Sequence, residues 1–149
     1  MALIDVQATF SDKQVVTATA VSSNFYETGT IKRNLGRIGQ RIRITTDEDV
    51  AAAGAATVTF ELVSADNGDG TGNVTVLAST AAIGKAALPT GAVAADFDIP
   101  DTNQRYVGVR YTVGTGPLTA GRFTATVVGA GGSGHQRSYP AGYPSPFVG

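Results

Sequence analysis

Apolar and polar positions alternate along much of the chain with a period of two. Gln40 to Thr46 is the cleanest case: Arg41 and Arg43 fall on one side, Ile42 and Ile44 on the other. A half-buried strand requires that pattern. Thr57 to Ser64 ("TVTFELVS") sets Val58, Phe60 and Leu62 on one side. Asn73 to Ser79 ("NVTVLAS") follows a Gly- and Asp-rich turn, Asp66 to Gly72. These two runs are expected to form a hairpin with a longer loop. Val15 to Val21 reads as one strand, and Asp96 to Ile99 as a short one ended by Pro100. Arg105 to Val113 ("RYVGVRYTV") and Gly121 to Val128 ("GRFTATVV") are expected to pair as a second hairpin across "GTGPLTA". Ala51 to Ala56 ("AAAGAA") reads as a link between strands.

No segment sustains apolar residues at the spacing of a helix face. Without helices between the strands, a parallel α/β sheet is excluded. About seven short strands separated by Gly and Pro turns predict an all-β fold, a jelly-roll-like antiparallel sandwich. After Val128 comes "GAGGSG", a flexible linker by composition. The expected organisation is a β-sandwich with an N-terminal arm over residues 1–128, then a Gly linker and a Pro/aromatic tail over 129–149.

The totals narrow the function classes. A chain of 149 residues buries roughly 70% of its unfolded surface, enough for a real core. No apolar run is long enough to span a bilayer. Met1 to Phe10 lacks the charged start of a leader and carries Asp5, so use without secretion is expected. The absence of cysteine excludes disulfides, thiolate metal sites and cysteine nucleophiles. A net charge of −1 gives no global field for nucleic acid or acidic membranes. Only 15% of residues are charged, against about 25% in soluble domains. Lysine occurs only at Lys13, Lys32 and Lys85. Such a surface suits a protein that partners cover, and equally a small β domain with a bland exterior.

Catalytic motifs do not assemble. Gly129 to Gly134 fits G-x-G-x-x-G, but Pro140 follows where a dinucleotide site needs a helix. "DNGDGTGN" (Asp66 to Asn73) lacks the alternate ligands and the closing carboxylate of a calcium loop and reads as a turn. "TDED" (Thr46 to Asp49) reads as a solvated turn rather than a metal site. His135, the single histidine, lies in the tail with nothing rigid to orient it as a base. Ser133 lacks the frame of a nucleophile elbow, and Asp96 with Asp98 reads as an exposed strand face. No enzyme activity, cofactor or metal is expected.

Two segments carry contact chemistry instead. From Thr28 to Thr46 stand Lys32, Arg33, Arg37, Arg41 and Arg43 without an acid. A solvated strand face ranks first, an acidic protein surface second, since the arginine fork suits carboxylates, and nucleic acid third. The tail "HQRSYPAGYPSPFVG" holds Tyr139, Tyr143 and Phe147 between Pro140, Pro144 and Pro146. Proline forbids a regular helix or central strand there. It also pre-extends the segment and lowers the ordering cost of docking. The rings are then apolar anchors for a neighbour's groove. Arg33, Arg37, Arg41, Arg43, Tyr139, Tyr143 and Phe147 are therefore the candidate partner-binding residues.

"TFSDKQVVTATAVSSN" (Thr9 to Asn24) and "IPDTNQRYVGVRYTVGTGPLTAGRFTATVV" (Ile99 to Val128) resemble the capsid cement, or decoration, proteins of short-tailed phages of the Bordetella phage type. The resemblance spans most of Thr9 to Val128 and does not reach the tail. It implies a jelly-roll sandwich made in the host cytoplasm and assembled on the outer surface of an icosahedral capsid. There a homo-oligomer, a dimer by slight preference, would bridge subunits of the major capsid protein and reinforce the shell. No reaction, direct nucleic-acid contact or membrane is implied. A second reading is a jelly-roll carbohydrate-binding module of a phage fibre or adhesin, with Tyr106, Tyr111 and Phe123 as the rings to test. A third, a small hydrolase, lacks a residue set.

Overall fold

The expected alternation appears as strands in a computed structural model of the chain, which describes residues 9–27, 40–100, 102 and 104–129. The strands are β1 (Thr9–Val15), β2 (Ala20–Val21), β3 (Tyr26–Glu27), β4 (Gln40–Ala51) and β5 (Thr57–Ala65). They continue with β6 (Thr75–Ser79), β7 (Ile83–Gly84), β8 (Val93–Asp98), β9 (Tyr106–Gly114) and β10 (Ala120–Gly129). The only helical element among the described residues is a 3-10 turn at Lys85–Ala87.

All pairings are antiparallel. A front sheet runs β1-β10-β4-β8, and a back sheet runs β2-β9-β5-β6. β3 continues the edge begun by β2 along β9, and β7 continues the edge of β6 along β5. The chain therefore behaves as one long hairpin: β1 with β10, β2 and β3 with β9, β4 with β8, β5 with β6 and β7. Rolling that hairpin lays β10 on β4 and β9 on β5. This is the jelly roll.

The inner faces carry the predicted apolar rows. Ile42, Ile44, Val58, Phe60 and Leu62 are fully buried, joined by Phe10, Val109 and Phe123. Each such side chain contributes about 1.5–3 kcal/mol relative to exposure. Phe60 meets Phe123 edge-on with centroids 5.1 Å apart, and Tyr111 stacks on Phe123 at 5.5 Å. The Tyr111 hydroxyl, buried among them, donates to Ser11 Oγ at 2.8 Å. Ser11 in turn donates to Gln14 Oε1 at 2.8 Å, and Gln14 Nε2 to the Val21 carbonyl at 2.8 Å. Edge strand β1 is thereby latched to the core and to β2. Burial pushes the Tyr111 hydroxyl's pKa up, well above the ordinary phenol value.

Three expectations change. Arg105 to Val113 and Gly121 to Val128 do form β9 and β10, but these lie in opposite sheets and do not pair. The short turn at Thr115–Thr119 is a crossing between sheets. Val15 to Val21 is broken, because Val16 N–H donates to Gly121 O and Thr17 O accepts from Leu118 N–H. There the chain turns the corner from β1 to β2. "TDED" is no turn: Thr46 to Asp49 lies inside β4, which extends to Ala51.

Candidate partner-binding surface

Alternation along β4 points Arg41 and Arg43 out of the front sheet, and β8 sets Asp98 and Asp96 directly opposite them. Arg41 Nε donates to Asp96 Oδ1 at 2.6 Å, and its Nη1 lies 3.0 Å from Asp98 Oδ1. Arg43 Nη2 donates to Asp96 Oδ2 at 2.9 Å. Burial alone would raise the Asp96 pKa, but the two guanidinium groups outweigh it and hold the carboxyl below its usual range. Hydrogen bonding to Asp96 raises the Arg41 pKa. Both arginines are thus partly spent within their own sheet, while remaining half exposed. Arg43 keeps Nη1 uncommitted among the described residues.

The other candidates, Arg33, Arg37, Tyr139, Tyr143 and Phe147, lie outside the described residues. The topology nevertheless fixes where their segments leave the sandwich. Thr9 pairs with Thr126, Gln40 with Gly129, and Arg41 with Asp98. In the back sheet, Glu27 and Ala65 flank Tyr106. The junctions to residues 1–8, 28–39 and 130–149 therefore share one end, called proximal here. The turns of the distal end, at residues 16–19, 52–56, 85–92 and 115–119, all belong to the described part.

The proximal end is braced by polar contacts. Arg105 pairs with Glu27 and stands over the Tyr106 ring at 5.4 Å. The Asp66–Asn73 segment is the expected turn, with Gly70 and Gly72 at positive φ. Asp69 caps it, accepting from Thr71 N–H at 3.0 Å. Gln104 Nε2 ties the turn down by donating to the Asn73 carbonyl. Every arginine among the described residues is ion-paired: Arg110 with Glu61 at 2.7 Å and Arg122 with Glu48 at 3.1 Å complete the set.

Among the described residues, the four sheet edges differ. β8 carries Asp96 and Asp98, β1 carries Asp12 and Lys13, and β3 ends in Glu27. The β6–β7 edge, Val74 to Gly84, has no charge, and Val74 and Val76 are 40% and 44% exposed. Charged residues normally blunt such edges. The alternation pattern along the chain does not mark this surface. Its signal was present as eleven consecutive uncharged residues, but an uncharged strand looks the same whether central or marginal. Of the rings considered for sugar stacking, Tyr111 and Phe123 are fully buried, and only Tyr106 reaches the surface.

The profile of the Bbp16 family matches residues 10–127, from β1 into β10. The chain belongs to the Bbp16 family. The family bears the name of a Bordetella phage protein, so the phage origin implied by the resemblance stands. The Bbp16 match covers the sandwich and stops short of the aromatic tail, as the resemblance did. No curated protein matches the chain.

Proposed function

We propose that this Bbp16 member is a non-catalytic virion protein that binds the outer surface of an icosahedral phage capsid and bridges its major capsid subunits. The observation that carries the reading is the convergence at the proximal end. The apolar arm, the basic segment with Arg33 and Arg37, and the tail with Tyr139, Tyr143 and Phe147 all join the sandwich there. A rigid body with three contact-rich segments at one end suits attachment to a repeated lattice, where linked weak contacts multiply. Arg41 and Arg43 would add to that contact through the valence Asp96 leaves open. Self-association falls to the uncharged β6–β7 edge, which a second copy can extend as a strand.

The test is co-sedimentation with purified shells lacking this protein. Full-length protein is expected to pellet with shells and raise their disruption temperature. A chain ending at Gly129 should keep the sandwich's melting temperature and bind at least about tenfold more weakly, as loss of one linked contact predicts. Equal binding by the truncated chain removes the tail from the account. Failure of the full-length protein to pellet overturns the reading. The carbohydrate-module reading loses two of its three rings to the core.

A further inference from the structure

Among the described residues, the β6–β7 edge is the sheet margin that no charge protects. β6 pairs there only with β5, and residues 74–84 are uncharged. Val76 stands opposite Val63 and shares its outward face, yet Val63 is fully buried and Val76 is 44% exposed. Such a margin is a template for another strand. An incoming strand would desolvate no charge at β6. At the other margins it would meet Asp96 and Asp98, Asp12 and Lys13, or Glu27.

A segment of matching chemistry exists in the same chain. Residues 138–147 are also free of charge. Their prolines, Pro140, Pro144 and Pro146, all occupy even positions, and their rings, Tyr139, Tyr143 and Phe147, all occupy odd ones. In an extended strand, alternate residues turn both N–H and C=O to the same side, and alternate side chains share a face. Residues 139, 141, 143, 145 and 147 would then offer an unbroken row of N–H donors to one side. The opposite side would carry every proline, where a missing donor costs nothing. The three rings would share a single face. The prolines therefore bar this segment from a sheet interior but suit it to the outermost position. A ring beside Val76 would make the aromatic–β-branched pair that favours neighbouring strands.

Strand direction selects which copy supplies the segment. β10 runs toward the proximal end and finishes at Gly129. β6 starts at that same end, with Thr75 opposite Ser64 and Ser79 opposite Glu61. A tail entering the β6 edge of its own chain from there would lie parallel to β6. Every pair among the described strands is antiparallel, and antiparallel pairing is the more stable. A second copy can bring its tail in from the opposite direction. Two copies related by a twofold axis would exchange tails reciprocally, which closes the assembly at two. We infer that residues 139–147 of one copy add as an antiparallel strand to the β6 edge of a second copy. This deepens the self-association proposed at that edge and rests on it.

The test uses the full-length chain in sedimentation velocity and in amide hydrogen exchange over residues 74–79. A reversible dimer is expected, with exchange at β6 slowing as concentration rises. Ala141→Pro removes a donor from the row that faces the edge and should weaken dimerisation about tenfold. Gly142→Pro, one residue on, falls on the proline side and should leave dimerisation within about twofold of the native chain. Val76→Lys, which puts a charge on the edge, should weaken it as well. A chain that stays monomeric, β6 protection that does not depend on concentration, or equal effects of Ala141→Pro and Gly142→Pro would each overturn the inference. A dimer broken by Val76→Lys but unaffected by Ala141→Pro would also overturn it, while leaving self-association at the edge intact. Shell attachment is measured separately, so that proposal and this one can fail independently.

Discussion

The two sheets turn unlike outer faces to their surroundings. On the back sheet, Val63 and Ala65 point outward and are nevertheless fully buried. Phe25 lies against Gly108, where an added Cβ would sit 2.4 Å from its ring, and the Asp66–Asn73 turn brings Gly70 to the same ring. The chain has closed this face for itself with a small second apolar cluster. On the front sheet the outward row is Thr126, Arg43 and Asp96, held by hydrogen bonds and ion pairs within the sheet. Half of the back face is insulated by carbon; the front face remains polar and available. Surfaces for partners are therefore to be sought on the front face, at the proximal end and along the bare β6–β7 edge.

Mutation can break or sharpen that contrast. Phe25→Ala should cost the most, about 3 kcal/mol or more, because it opens a cavity over Gly108 and exposes Val63. Chemical denaturation checks it, and a loss below that of Arg43→Ala would erase the distinction between the faces. Glu61→Gln tests the polar half of the back face, where Arg110 Nε donates at 2.7 Å and Thr112 Oγ1 donates at 2.7 Å. It should cost about 1.5–3 kcal/mol at neutral pH, as for hydrogen bonds to charged groups.

This second effect is pH-dependent. The Arg110 hydrogen bond, against the opposing pull of burial, holds the Glu61 pKa below its ordinary value. A carboxyl lowered on folding contributes fully above its unfolded pKa of about 4.3 and loses that contribution as pH falls through its folded value. The stability gap between the native chain and Glu61→Gln should shrink below about pH 4; a constant gap would show that Glu61 acts only by packing. Smallest of the three, Arg43→Ala on the front face should cost less than about 1 kcal/mol. Asp96 retains Arg41 there.

Much of this was legible in the residues. Ile42, Ile44, Val58, Phe60 and Leu62 declared their shared side because only one face is dry over residues 41–44 and 57–62, and period two has only one reading there. The pairing of β9 was not legible. The connection Thr115–Thr119 is as short as a hairpin loop, and only the partner of each strand tells a hairpin from a crossing. "TDED" misled because three acids read as solvent-facing. In place, Asp47 accepts from Thr124, Glu48 pairs with Arg122, and Asp49 accepts from Thr90 N–H at 2.6 Å. Those partners lie on strands and turns remote in the chain. The bare edge was invisible for the same reason: it is defined by what does not stand next to it.

β10 lies between β1 and β4, and it is the last of the described strands to leave the ribosome. Until it arrives, β1 and β4 have no mutual partner, and the Phe60 and Tyr111 rings lack Phe123. Nascent chains must wait until β10 is made with the front sheet of the sandwich unzipped. A message cut short anywhere before Gly121 would yield an unfinished sheet rather than a smaller working protein.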